Sequence, residues 1–138
     1  MPIDIDVVEN RISDIKKTIQ ELHRLTTKQY EKLSMDEKYS IRYNIIVLVE
    51  ALVALCSHIS IEDLDKTPQS YKESVRIVAE HFNLPCIEDL EALVGLRNLL
   101  IHRYHVILDR KIYFFIKEDF ECLYKLIEEV EKNIYKIL

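Results

Sequence analysis

Glycine and proline are nearly missing from this sequence: its 138 residues include one Gly and three Pro. Strand-rich folds turn often and draw on these residues at each turn, so the scarcity favours long helices with few connections. Cysteine is sparse as well. Cys56, Cys86 and Cys122 are odd in number, far apart and without a C-x-x-C pair. Neither a disulfide framework nor a zinc site is signalled, and a reducing cytoplasm is the expected setting. Excess positive charge is also lacking. A net charge of −5 argues against a surface that coats nucleic acid in general, while leaving room for a local basic site. The opening "MPIDIDVVEN" has no basic-then-apolar signal pattern. The longest apolar run, Ile45 to Cys56, is interrupted by Glu50 and too short to span a bilayer, so no membrane association is expected.

What is present is helical period. The length suits one domain, residues 1–138, with a real core, and 49% hydrophobic with 31% charged residues is the profile of a soluble globular protein. The pattern predicts an all-α, up-and-down bundle of about five helices. The first runs from about Ile5 to Leu25, with Ile5, Val8, Ile12, Ile15, Ile19 and Leu22 in one stripe and Asp4 or Asp6 as cap. The second opens at the capping box Ser34…Glu37 and runs to about His58; "IIVLVEALVALC" is apolar on nearly all sides and marks the most buried helix. The third starts at Thr67 with Pro68 in its first turn, stripes Tyr71, Val75, Val78, Ala79 and Phe82 inward, and stops near Asn83. The fourth follows Pro85 and ends between His102 and His105. The fifth is read as continuous from about Arg110 to Ile137.

The fourth helix carries the chemistry. In "VGLRNLLIHRYHV" the side chains of Arg97, Asn98, His102, Arg103, Tyr104 and His105 alternate with Leu96, Leu99, Leu100, Ile101 and Val106. From Arg97 to Lys111 the net charge is +3, leaving −8 for the remainder. Leucines spread around the helix suggest one packed side and a second contact, most simply a symmetric partner. Arg97 and His102 fall about 140° apart on an ideal helix, so they converge only if the helix loosens or a two-fold axis brings both pairs into one cleft.

These residue types suit phosphodiester cleavage in RNA. An imidazole can take the proton of a ribose 2′-hydroxyl near neutral pH, and a guanidinium can fork onto the phosphate and stabilise its developing charge. A phenol can donate to phosphate or stack on a base. Asn98, one turn before His102, can orient the imidazole. No metal or other cofactor is required. Blander readings exist for each residue. Arg97 can pair with Glu50 or Glu91, His102 can be a hydrogen-bonded interior histidine, and Tyr104 can close the helix end with its hydroxyl wet. Glu50 can pair with Arg97 or Arg42 or sit at a subunit seam. His58 at a helix end can serve the dipole. His102 and His105 could ligate a metal, but no third ligand is evident. Gly95 is read as permitting close helix approach.

"RNLLIHRY" resembles the R-x4-6-H motif of the HEPN superfamily, and more narrowly the R-x4-H-x-Y form of HepT toxins, which pair with a minimal nucleotidyltransferase antitoxin, MntA. The resemblance extends to "VEALVALCSHI", "YKESVRIVAEHFNLP" and the long final helix. It implies a homodimer with facing motifs and metal-independent, endo- or exo-acting ribonuclease activity. Arg97 and His102 would be catalytic, Tyr104 would bind RNA and accept AMP from the partner enzyme, and Asn98 and Arg103 would support the site. Two positions depart from the pattern: Arg103 stands where relatives often carry an acidic or polar residue, and the aspartate after the tyrosine comes one residue late, at Asp109. The rival reading is a non-catalytic helical module that binds a nucleotide or a nucleotidyltransferase.

Overall fold

The computed structural model describes residues 3–102, 109–118 and 120–137, all within one helical bundle. Six α-helices are seen among them: α1 (Ile5–Leu25), α2 (Met35–Glu62), α3 (Tyr71–His81), α4 (Ile87–His102), α5 (Asp109–Glu118) and α6 (Glu121–Ile137), with a single 3-10 turn at Tyr30–Lys32. The all-α class expected from composition holds.

α1 has the expected bounds. Asp4 is its cap, accepting from the N–H groups of Asp6 and Val7 at 3.0 and 3.3 Å. Val8, Ile12, Ile15, Ile19 and Leu22 are buried in one stripe. The Asp4 N–H donates to His58 Nε2 at 3.0 Å, so His58 ties the start of α1 to α2.

α2 opens on the capping box: Ser34 Oγ accepts from Glu37 N–H at 3.1 Å, and Glu37 Oε1 accepts from Ser34 N–H at 2.9 Å. The helix continues to Glu62, beyond the His58 end expected from sequence. At full length it is long and apolar enough to cross a bilayer, unlike the shorter run that sequence reading weighed, but more than half of its apolar window is buried in the fold. Ile45, Leu48, Val49, Leu52, Leu55, Cys56 and Ile59 are essentially inaccessible beneath α1, α3 and α4. Each such aliphatic side chain contributes about 1.5–3 kcal/mol of transfer free energy, which makes α2 the spine of the core. Burial pushes the Cys56 thiol up, so it stays protonated.

The third helix begins later than expected. Ser70, not Thr67, is its cap, accepting from Glu73 N–H at 3.1 Å, and Tyr71 is its first residue. "SYKE" is itself a Ser-x-x-Glu signal, and it outcompetes Thr67-Pro68. Tyr71 is also not in the apolar stripe; it is 40% exposed.

The largest departure is the final helix, which is two. Phe120 is buried and its carbonyl accepts the Tyr124 N–H at 2.9 Å, opening α6. Ile112, Ile116, Phe120, Leu123, Ile127 and Val130 keep a helical spacing across the break, so their period conceals it.

The expectation of no disulfide is overturned. Cys86, just before α4, is bonded to Cys122 in the first turn of α6, with Cα atoms 5.9 Å apart and 36 residues of separation. Packing of α4 on α6 brings the pair together, which no local spacing reveals.

The shortage of glycine also has a structural counterpart. The chain takes left-handed backbone at Asp65 (φ 55°) and Asn83 (φ 54°), just past α2 and α3. Asp and Asn tolerate this region where glycine is the common choice. The lone glycine, Gly95, lies inside α4 instead. A Cβ built there would meet only the Lys72 side chain, at 3.6 Å from Nζ, so the expected close approach of helix backbones is not its role.

Candidate active site

Arg97 is the centre of the site. It projects from α4 toward α2 and the start of α3, with its side chain 14% exposed. Nε donates to Glu50 Oε1 at 2.9 Å, and Nη2 donates to the same oxygen. Nη1 donates to Asn98 Oδ1 at 3.0 Å. The Tyr71 ring lies against the guanidinium, centroid to Cζ 4.8 Å. Of the two ion partners weighed for Arg97, Glu50 is realised; Glu91 is held by Arg76 at 2.8 and 3.1 Å, and this guanidinium keeps the Glu91 carboxyl below its usual range.

These hydrogen bonds use three of the five guanidinium N–H groups, so the remaining donors can serve an incoming anion. Beside them lies an open recess of about 450 Å³ lined by Ser70, Tyr71, Lys72, Arg97 and Asn98. Glu50 is 44% exposed on the α2 side, so the ion pair is not sealed.

Asn98 is assigned differently from its sequence reading. Its Oδ1 orients Arg97 rather than the His102 imidazole. His102 is exposed at the end of α4, and among the described residues no hydrogen bond joins it to Arg97. The separation expected from an ideal helix therefore persists within one chain. Arg103, Tyr104 and His105 lie outside the described residues.

Two features of the site escaped sequence reading. Tyr71 and Lys72 face α4 only because α3 folds back across it, and no spacing within "YKE" shows that. The late aspartate, Asp109, pairs through both oxygens with Arg42 of α2 at 2.7 and 2.8 Å, fastening the start of α5 directly after the motif segment.

The comparisons agree with this architecture. Residues 8–130 match the family described as Ribonuclease HepT-like. The mRNA nuclease HepT of Shewanella oneidensis is 26% identical over 102 residues, covering 72% of this chain and 77% of that protein. Among solved structures, the tri-AMPylated Shewanella oneidensis HEPN toxin in complex with an MNT antitoxin matches with a TM-score of 0.83 at 21% identity, covering 94% of this chain and 99% of that one. YutE, a cytosolic protein of unknown function from Bacillus subtilis, matches at 0.82 and 15% identity, covering 99% and 94%. At such identities the two structures speak for the fold; the match over residues 8–130 carries the classification. This chain belongs to the HepT-like ribonuclease family.

Proposed function

We propose that the chain is the ribonuclease toxin of a toxin–antitoxin pair, acting as a homodimer and needing no metal. The observation that carries this is Arg97, held by Glu50, Asn98 and Tyr71 with donors to spare beside an open recess, in the same motif as an exposed imidazole. In this reading His102 removes the proton of a ribose 2′-hydroxyl. The 2′-oxygen bonds to phosphorus, the bond to the 5′-oxygen breaks, and an acid returns a proton to that leaving oxygen. Arg97 stabilises the charge gathering on the non-bridging oxygens. The products are a cyclic phosphate and a 5′-hydroxyl.

Among the described residues no hydrogen bond joins Arg97 to His102 within one chain, which supports a cleft shared by two copies. A stripe on α2 supports the same reading: Tyr43, Val47, Glu50, Ala54 and Ile61 fall within about 60° on the helix, and Tyr43 and Ile61 are 64% and 47% exposed. On α4, Ile101 adds another exposed aliphatic side chain.

Tyr104, two residues beyond His102, is the proposed RNA contact and AMP acceptor for a partner nucleotidyltransferase of the MntA kind, with Arg103 beside it to hold phosphate. The tri-AMPylated relative bound to an MNT antitoxin supports AMP transfer as the regulating chemistry. A nucleotide attached there would occupy space that RNA must enter.

The test is cleavage of RNA in EDTA by wild type and His102→Ala. Cleavage that persists in EDTA, disappears when the 2′-hydroxyl at the cut is removed, and is lost in a still-dimeric His102→Ala protein supports the reading. Equal cutting by both proteins sinks it and leaves the non-catalytic module.

A further inference from the structure

Lys72 is a second cation beside the site. It follows Tyr71 in the first turn of α3 and lies across α4 with Nζ over Gly95. Among the described residues it forms no ion pair, whereas Arg76 one turn on is matched by Glu91 and Arg97 by Glu50. The Lys72 charge acts on the Glu91 carboxyl, which Arg76 holds, without closing a salt bridge, so in a chain of net charge −5 it still adds a cation to the recess that Arg97 lines. Tyr71 supplies the second element. Its ring leans on the Arg97 guanidinium, yet the residue stays 40% exposed, so the ring still presents surface to the recess.

The face of α4 beneath these side chains has a direction. Gly95, Asn98 and His102 follow one another at three- and four-residue spacing, and Gly95 and His102 are about 10 Å apart along the axis. Lys72 lies over Gly95 at the start of this line, and Asn98, which accepts from Arg97, is the next residue along it. Lys72, Arg97 and Asn98 line the one recess, so a single strand with one phosphate at Arg97 can bring a neighbouring phosphate toward Lys72.

We infer that Tyr71 and Lys72 form a subsite for the RNA nucleotide flanking the cleaved phosphate, in which Lys72 pairs with the neighbouring phosphate and Tyr71 stacks on its base. The inference rests on the ribonuclease reading of Arg97 and His102 and assigns that site a substrate direction. Stacking on a tyrosine is tolerant of base identity, so this subsite favours single-stranded over paired RNA and sets register rather than sequence. A large side chain at position 95 would push the Lys72 ammonium off the line, while no backbone contact demands glycine there.

The probe is a fluorescently labelled, fully 2′-O-methylated single-stranded oligoribonucleotide, which binds without being cut. Its affinity for the full-length protein is measured across a salt series for wild type, Lys72→Ala, Lys72→Arg, Tyr71→Phe, Tyr71→Ala and a remote control, Lys132→Ala. For Lys72→Ala the expected result is binding weakened about fivefold at low salt, with the slope of log affinity against log salt reduced by about 0.7, the signature of one lost single-strand phosphate contact. Lys72→Arg restores both, and Lys132→Ala changes neither. Tyr71→Phe binds as wild type, and Tyr71→Ala loses about fivefold or more with its salt slope unchanged. Circular dichroism of each variant confirms an intact fold.

An unchanged slope and affinity in Lys72→Ala overturns the subsite, as does equal loss in Lys132→Ala or failure of wild type to bind. Parallel cleavage of unmodified RNA separates the two readings. Wild-type cleavage with an unaffected Lys72→Ala removes the subsite alone. Absence of wild-type cleavage alongside the expected slope change removes the ribonuclease reading and keeps the subsite as a strand-binding surface.

Discussion

Two arginine–carboxylate pairs fasten α2 to its neighbours, and each guanidinium lies against a tyrosine ring. Arg42 reaches Asp109 with Nε and Nη2 on separate carboxylate oxygens, at 2.7 and 2.8 Å, and its Tyr39 ring is 5.4 Å away. Arg97 reaches Glu50 with Nε and Nη2 on one shared oxygen, and its Tyr71 ring is 4.8 Å away. The first pair is closed: its side chains are 20% and 16% exposed, and fork meets fork. The Asp109 carboxylate raises the Arg42 pKa, as expected of a charge held by its partner. The second is open: the arginine is 14% exposed but its carboxylate is 44% exposed, and the guanidinium borders a recess. In the proposed reading, burial of an arginine therefore does not distinguish a structural cation from a working one here. What distinguishes them is whether the partner completes the fork.

That contrast predicts opposite phenotypes, and the largest effect belongs to the open pair. Arg97→Ala should lower RNA cleavage by about a hundredfold or more, the usual loss when a transition-state donor is removed. Arg97→Lys should not rescue it, because an ammonium cannot bind Glu50 and phosphate through separate edges. Both are read by initial rates on protein confirmed as folded. Arg42→Ala should do the reverse. Its cleavage rate per folded molecule should stay within a few-fold of wild type, while urea unfolding shows a loss of about 2–3 kcal/mol from the stranded Asp109 carboxylate. An Arg42→Ala protein that is stable but inactive would break the comparison.

The carboxylates sharpen it on a smaller scale. Asp109→Asn should cost about 2 kcal/mol, whereas Glu50→Gln, solvated on one side, should cost about 1 kcal/mol or less. Denaturant midpoints of the two variants, compared under one buffer, check the order. Equal losses would mean that exposure of Glu50 does not weaken its grip on Arg97.

Much of this was legible in the residues. The α1 stripe and its Asp4 cap, the Ser34–Glu37 box and the all-α class follow from local rules acting over a few residues. The motif on α4 is legible as chemistry, and Glu50 is one of two carboxylates the sequence offers Arg97. What was hidden depends on distant parts of the chain. The break at Phe120 preserves the apolar period, so a continuous helix and two helices write the same pattern. Cys86 and Cys122 meet only through the packing of α4 against α6. Asn98 was expected to serve His102 because they share a helix face. In the fold its Oδ1 accepts from the adjacent arginine instead.

Gly95 offers a test of the helix beneath the open pair. Glycine in a helix interior costs about 1 kcal/mol relative to alanine, and a Cβ here meets only a flexible lysine chain at ordinary contact distance. Gly95→Ala should therefore raise stability by about 0.5–1 kcal/mol, read as a higher urea midpoint with an unchanged slope. A loss instead would show that α4 needs conformational freedom at this point, against the contact geometry.

The mildest effect comes from the end of α2 nearest Arg42. The Glu37 carboxyl is held down at about 2, against an ordinary 4.5, first by the Ser34 backbone N–H and then by Lys28. Its folded-state pKa lies below the unfolded one, so its stabilisation is complete above pH 4.5, declines as pH falls toward 2, and is absent below. Glu21 beside Arg24 and Glu91 beside Arg76 are lowered too and lose stabilisation with the same sign. Glu37→Gln keeps a side chain able to accept the Ser34 N–H but removes the charge. Its unfolding midpoint should sit slightly below wild type at pH 7, and the two curves should converge as pH approaches 2. Parallel curves across that window would assign the acid sensitivity to the arginine-paired glutamates and leave the cap of α2 independent of charge.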